Sequence, residues 1–146
     1  MGMVCLVYAS RFARGVGPND VQDILTISRE RNKAAGITGV LCYDPRFFLQ
    51  VLEGPRDAVN ELYCDIAGDK RHDHVMILSY QEVAARLFDE WSLAYVRMDD
   101  STRPICRKYC LSGAFDPYAM TAEQALGFVT EMSAERQRYL DSLTSK

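Results

Sequence analysis

At 146 residues the chain has the length of one domain, and 25% charged against 48% hydrophobic residues is ordinary globular composition. Twenty acidic and seventeen basic side chains leave a net charge of −3, which argues against a binder of nucleic-acid backbones. No apolar run approaches the ~20 residues that span a bilayer, and MGMVCLVYAS lacks the basic start of a signal peptide, so a cytoplasmic protein is expected.

MVCLVYAS, residues 3–10, reads as a first strand, with Leu6, Tyr8 and Ser10 on one face and Cys5, Val7 and Ala9 on the other. Gly15, Gly17 and Pro18 break it, and Asn19 or Asp20 offers a cap for a helix over about 20–35 carrying Val21, Ile24, Leu25 and Ser28 at helical spacing. Gly36 is placed to end that helix. ITGVLCYD (37–44) and FFLQVLEG (47–54) read as two arms of a hairpin around Asp44, Pro45 and Arg46. A second helix is expected over 56–67, a polar turn in GDKRHDH, a fourth strand over 75–83 and a fifth over 91–98.

The order β-α-β-β-α-β-β predicts an α+β fold, a ferredoxin-like sheet with two helices on one face. Its first and third strands lie side by side at the centre. Beyond Asp100 the pattern turns helical: RPICRKYCLSG suggests a short helix, Thr121 with Gln124 a capping box, and Ala122, Leu126, Val129, Met132, Ser133, Leu140 and Leu143 a stripe running to the end. This C-terminal extension is expected to cover the other sheet face, so residues 1–98 and 99–146 form one structural unit.

Five cysteines, Cys5, Cys42, Cys64, Cys106 and Cys110, read as reduced thiols. With only His72 and His74 as further soft ligands no metal site is expected.

Polar residues interrupt the predicted core. Gln50 shares its face with Phe48 and Leu52, and an unpaired buried amide costs roughly 1–3 kcal/mol, so it needs partners; Tyr8 on the neighbouring strand is one. Asn32 and Ser28 share the apolar stripe of the first helix, and Ile66 closes the space from the second. Each taken alone is more often a satisfied core residue. Together they outline an apolar slot with amide edges, suited to a flat heteroaromatic ring, with Asp69, Arg71 and His72 at its mouth for an anionic tail.

The same residues carry a family likeness. LVYAS (6–10), SRERN (28–32), GITGVLCY (36–43), FFLQVLEG (47–54), DKRH (69–72) and the R-x-F-x-x-W of Arg86, Phe88 and Trp91 resemble the BLUF domains, blue-light sensors using FAD, over about residues 4–98. The resemblance implies that FAD (FMN is not distinguished by these motifs) lies between the two helices, contacted by Tyr8, Ile24, Ser28, Arg31, Asn32, Gln50, Ile66, Asp69, Arg71 and His72. It implies that Tyr8 and Gln50 are the photoactive pair and that Trp91 and Leu93 relay the signal. Light-driven electron and proton transfer between Tyr8 and the flavin would rearrange the hydrogen bonds of Gln50. The change would pass through the last strand and the C-terminal helices to a separate effector protein. Two positions depart from the pattern: Arg31, where an amide or histidine is frequent, and Leu93, where methionine is usual. The length resembles the short stand-alone members, which carry no enzymatic output domain and generally self-associate, so a homodimer or larger is expected. A colourless ferredoxin-like ligand-binding module, or an acylphosphatase using Arg71 and Asn32, is the alternative; the colour of the purified protein separates them.

Overall fold

A computed structural model describes residues 2–88 and 94–144. In chain order they form β1 (Met3–Phe12), α1 (Pro18–Ala35), β2 (Thr38–Tyr43), β3 (Phe47–Pro55), α2 (Arg56–Ala67), β4 (His72–Val83), β5 (Ala94–Arg97), α3 (Arg103–Tyr109) and α4 (Ala122–Thr144). The sheet runs β4-β1-β3-β2-β5. β1 is antiparallel to both β3 and β4, β2 is antiparallel to β3, and β5 joins β2 in parallel. This is the expected ferredoxin-like arrangement with a fifth strand at its edge.

The local chemistry accounts for the joints. The Asp20 carboxylate accepts the Gly17 N–H at 2.9 Å, so α1 begins at Pro18, whose fixed φ suits a first helical turn. Gly36 ends α1 at φ 72°, a left-handed geometry that glycine adopts without strain. In the hairpin turn the buried Asp44 takes the N–H groups of Arg46 and Phe47 on Oδ1 at 2.7 and 2.8 Å. β2 and β3 approach so closely at Gly39 that a Cβ there would stand 2.0 Å from the Val51 carbonyl oxygen.

Both sheet faces are covered, which is why β1 is buried at every residue from Val4 to Ser10. On one face Leu6, Tyr8 and Leu52 pack with Val59 and Leu62 of α2, and Leu41 and Phe48 with Leu25 of α1. On the other, Val7, Val40, Leu49 and Val51 pack against Cys106 of α3 and Phe128, Val129 and Met132 of α4. The extension therefore covers the face that α1 and α2 leave open. The expected stripe on α4 does not reach its end: burial stops near Ser133, while Tyr139 and Leu143 are exposed. A helix of 23 residues is about 34 Å long, and it outruns a sheet of five strands spaced about 4.8 Å apart.

One more boundary moved. β4 starts at His72, not at 75, because the polar DKRHDH run continues along β1, where Phe12 pairs with His72. Of the expected fifth strand, residues 94–97 are strand; Trp91 and Leu93 lie outside the described residues.

Glu53 anchors residues 87 and 88. It is fully buried at the end of β3. Its carboxylate accepts the Leu87 N–H at 2.8 and 3.0 Å and the Phe88 N–H at 2.8 Å. Arg86 adds bonds to Thr38 Oγ1 at 2.9 Å and to the Gly36 carbonyl at 2.8 Å. A buried carboxylate is tolerated only when its lone pairs are met in this way. In Glu53→Gln one oxygen becomes an NH2 that faces N–H donors. We expect a loss of roughly 1–3 kcal/mol in chemical denaturation; an unchanged midpoint would contradict the clamp.

Candidate functional site

Tyr8 and Gln50 stand directly opposite each other on β1 and β3. The phenol donates to Gln50 Oε1. Tyr8 is 1% exposed and Gln50 4%. Burial, reinforced by the nearby Tyr63 hydroxyl, pushes the Tyr8 phenol well above its ordinary value, so it is a lasting donor. With its carbonyl taken, Gln50 has its NH2 group left to offer, and its side chain lines the slot.

The pair forms the floor of a slot between α1 and α2. Leu41 and Phe48 extend the floor, Ile24 and Ser28 come from α1, Ile66 from α2 and His72 from β4. Helical spacing puts Ile24 and Ser28 one turn apart on the same face of α1. His72 meets Ser10 Oγ through Nδ1 at 3.0 Å and packs on Phe48 with ring centroids 5.0 Å apart. Asn32, one turn beyond Ser28, is buried at 1% exposure, and its backbone carbonyl takes the Ile37 N–H at 2.8 Å. Its side-chain Oδ1 accepts no hydrogen bond among the described residues, although the residue is bonded elsewhere.

The charged residues near the mouth are engaged with each other. Asp69 and Arg71 form a salt bridge at 2.6 Å, and the hydrogen bonds from Arg71 hold the Asp69 carboxyl at about 2. Arg71 pairs with Asp69 rather than with Asn32, which leaves the acylphosphatase pattern without its convergent pair. Arg31 is half-exposed and pairs with Asp65 of α2, tying the two helices together across the slot. Tyr8, Ile24, Ser28, Gln50, Ile66 and His72 thus share one slot; Asn32, Arg31, Asp69 and Arg71 are not among its lining residues.

Sequence reasoning passed over Ser10, Leu41 and Phe48 as functional residues. Ser10 and Phe48 were findable, since strand alternation puts them on the face of Tyr8 and Gln50. Asp65 was not, because its partner lies 34 positions away.

The lining fits a flavin: the Gln50 amide, apolar side chains from Ile24, Leu41, Phe48 and Ile66, and the His72 imidazole share the slot, and the Oδ1 of the buried Asn32 accepts no hydrogen bond among the described residues. The spacing is tight, with about 20 Å³ of free volume, room for a water molecule rather than a ring system.

Burial lowers the His72 pKa; Asp69 opposes the shift and Arg71 adds to it. The folded state then takes up the proton less readily than the unfolded chain, whose imidazole titrates near 6.5. Stability from neutral His72 is full above about pH 6.5 and is lost as pH falls through the lowered native value. Urea titrations between about pH 7 and about pH 5 should cost the native chain more stability than His72→Asn; parallel profiles would count against the assignment.

Comparison with known proteins agrees with this geometry. The family model described as BLUF, sensors of blue light using FAD, matches residues 3–94. The solved structure described as the photo-activated state of BlsA superposes with a TM-score of 0.81 at 30% identity, over 89% of this chain and 94% of that one. The dark-state structure of BlrB, a BLUF protein, superposes with a TM-score of 0.74 at 29% identity, over 92% and 97% of the two chains. The beta subunit of photoactivated adenylate cyclase from Euglena longa is 35% identical over 92 residues, 62% of this chain but 11% of that protein. The chain thus spans about a tenth of the length of the curated relatives it first matches. The match over residues 3–94 makes this chain a member of the BLUF family, blue-light sensors that bind FAD.

Proposed function

We propose that this chain reads blue light by turning over the Gln50 amide, and that the Tyr8 hydrogen bond to Gln50 Oε1 is the observation that carries the reading. The flavin would be held between α1 and α2, with Gln50 and Asn32 on its polar edge, Ile24 and Ile66 against its faces and Ser28 beside it. Asp69, Arg71 and His72 would border its tail, and Arg31 the outer edge. When bound, the flavin supplies the blue absorption and an excited state able to oxidise a phenol.

In the dark Tyr8 holds Gln50 with its carbonyl toward β1. Loss and return of the Tyr8 phenolic proton releases that carbonyl, and the amide resettles with donor and acceptor exchanged. An amide does this by rotation or by passing through its imidic tautomer; an apolar side chain of the same size has nothing to exchange. Leu93 offers no acceptor, in contrast to a methionine thioether, so the relocated Gln50 N–H has to be received by another group. The change is felt by β5, which Arg29 of α1 also contacts through a guanidinium 4.7 Å from the Tyr95 ring. Trp91, Leu93 and β5 would pass it to α3 and α4, whose exposed Tyr139 and Leu143 suit an effector protein. We read the chain as a cytoplasmic, self-associating sensor with no catalysis of its own. None of the helices described is long and apolar enough to cross a membrane.

Light-minus-dark absorption of the FAD-loaded protein tests this. The native chain should show a reversible red shift of the flavin bands. Gln50→Leu and Tyr8→Phe should keep the flavin and lose the shift. A Gln50→Leu protein that retains a native shift would sink the proposal.

A further inference from the structure

Cys106 and Cys110 sit at the last turn of α3 with their sulfurs 3.4 Å apart. All five cysteines are free thiols. Cys5 and Cys42 are buried in β1 and β2, and Cys64 is exposed on α2. The sulfurs of Cys106 and Cys110 need only draw about 1.4 Å closer to reach bonding distance.

The backbone there permits it. Cys110 lies just past the helix in an extended conformation, φ −105° and ψ 121°. It is held by its own N–H to the Cys106 carbonyl at 2.8 Å and by the Gly113 N–H to its carbonyl at 2.9 Å. The next residue, Leu111, is 89% exposed, and Gly113 turns the chain at φ 74°. A seven-residue helix ending in such a turn frays locally at small cost. In the packed state the two thiols are only 5% and 7% exposed, and burial pushes Cys110 up to about 12. Exchange would therefore proceed from the frayed turn and quicken at alkaline pH.

We propose that Cys106 and Cys110 are a redox site that closes to an intrachain disulfide on meeting a low-molecular-weight disulfide of the oxidised-glutathione class. One cysteine thiolate attacks a glutathione sulfur, forms a mixed disulfide and releases one glutathione thiol. The second cysteine then attacks the protein sulfur of that mixed disulfide and releases the other. Two protein thiols are oxidised and one glutathione disulfide is reduced to two thiols. The cross-link ties the end of α3 to the turn leading to α4, in the same core cluster as Phe115 and Phe128.

The test treats the full chain with excess oxidised glutathione at mildly alkaline pH, then blocks free thiols and digests with trypsin without reduction. Cleavage after Arg97, Arg107, Lys108 and Arg136 places Cys106 in peptide 98–107 and Cys110 in peptide 109–136. The expected product is these two peptides joined within one chain, with a glutathione adduct on Cys64 and unmodified thiols at Cys5 and Cys42. Cys106→Ser should abolish the joined species. Free thiols at both positions after Cys64 has fully reacted, separate glutathione adducts on each, or a link between two chains would each overturn the proposal.

Discussion

The hydrogen bond from Tyr8 to Gln50 is the contact around which this molecule is organised. It crosses from β1 to β3 at the centre of the sheet, where both residues are nearly inaccessible. The geometry leaves little choice. Directly opposed residues on antiparallel strands share a face, and a register shift by one would turn every side chain to the other side. The pairing of Tyr8 with Gln50 therefore also sets which residues make the slot floor and which pack beneath α3 and α4. An amide in this position costs stability when unsatisfied. Here its carbonyl is met by the Tyr8 phenol and its side chain lines the slot.

β3 connects the two faces. Gln50 addresses the slot, while Glu53, three residues on, binds the backbone of residues 87 and 88. Residues 87 and 88 are thus fastened to the strand that carries Gln50.

Much of this was legible in the residues. Alternation put Tyr8 and Gln50 on one face, and the breaks at Gly36, Gly54–Pro55 and Gly68 bounded the hairpin and α2, whose expected limits of 56–67 are those found. In FFLQVLEG the amide of Gln50 stands out in the middle of an apolar run. Other features depend on tertiary placement that no local pattern carries. His72 belongs to a strand because β1 is long enough to pair with it, not because DKRHDH has strand propensity. Glu53 looks like the polar end of a strand until the segment at 86–88 folds over it. Arg31 pairs with Asp65 of α2, a contact between residues 34 positions apart that no local pattern carries. The apolar stripe of α4 is visible for its full length in sequence, but only the part that meets the sheet is buried.

The most direct test follows the side-chain amide of Gln50 by nitrogen-15 NMR in the FAD-loaded protein, in darkness and under blue light. Gln22, Gln81, Gln124 and Gln137 serve as internal controls. The account predicts that the Gln50 NH2 resonances move on illumination and return in the dark, that the four controls stay in place, and that Tyr8→Phe abolishes the movement. Gln50 resonances that remain unchanged while the flavin bands shift would contradict it.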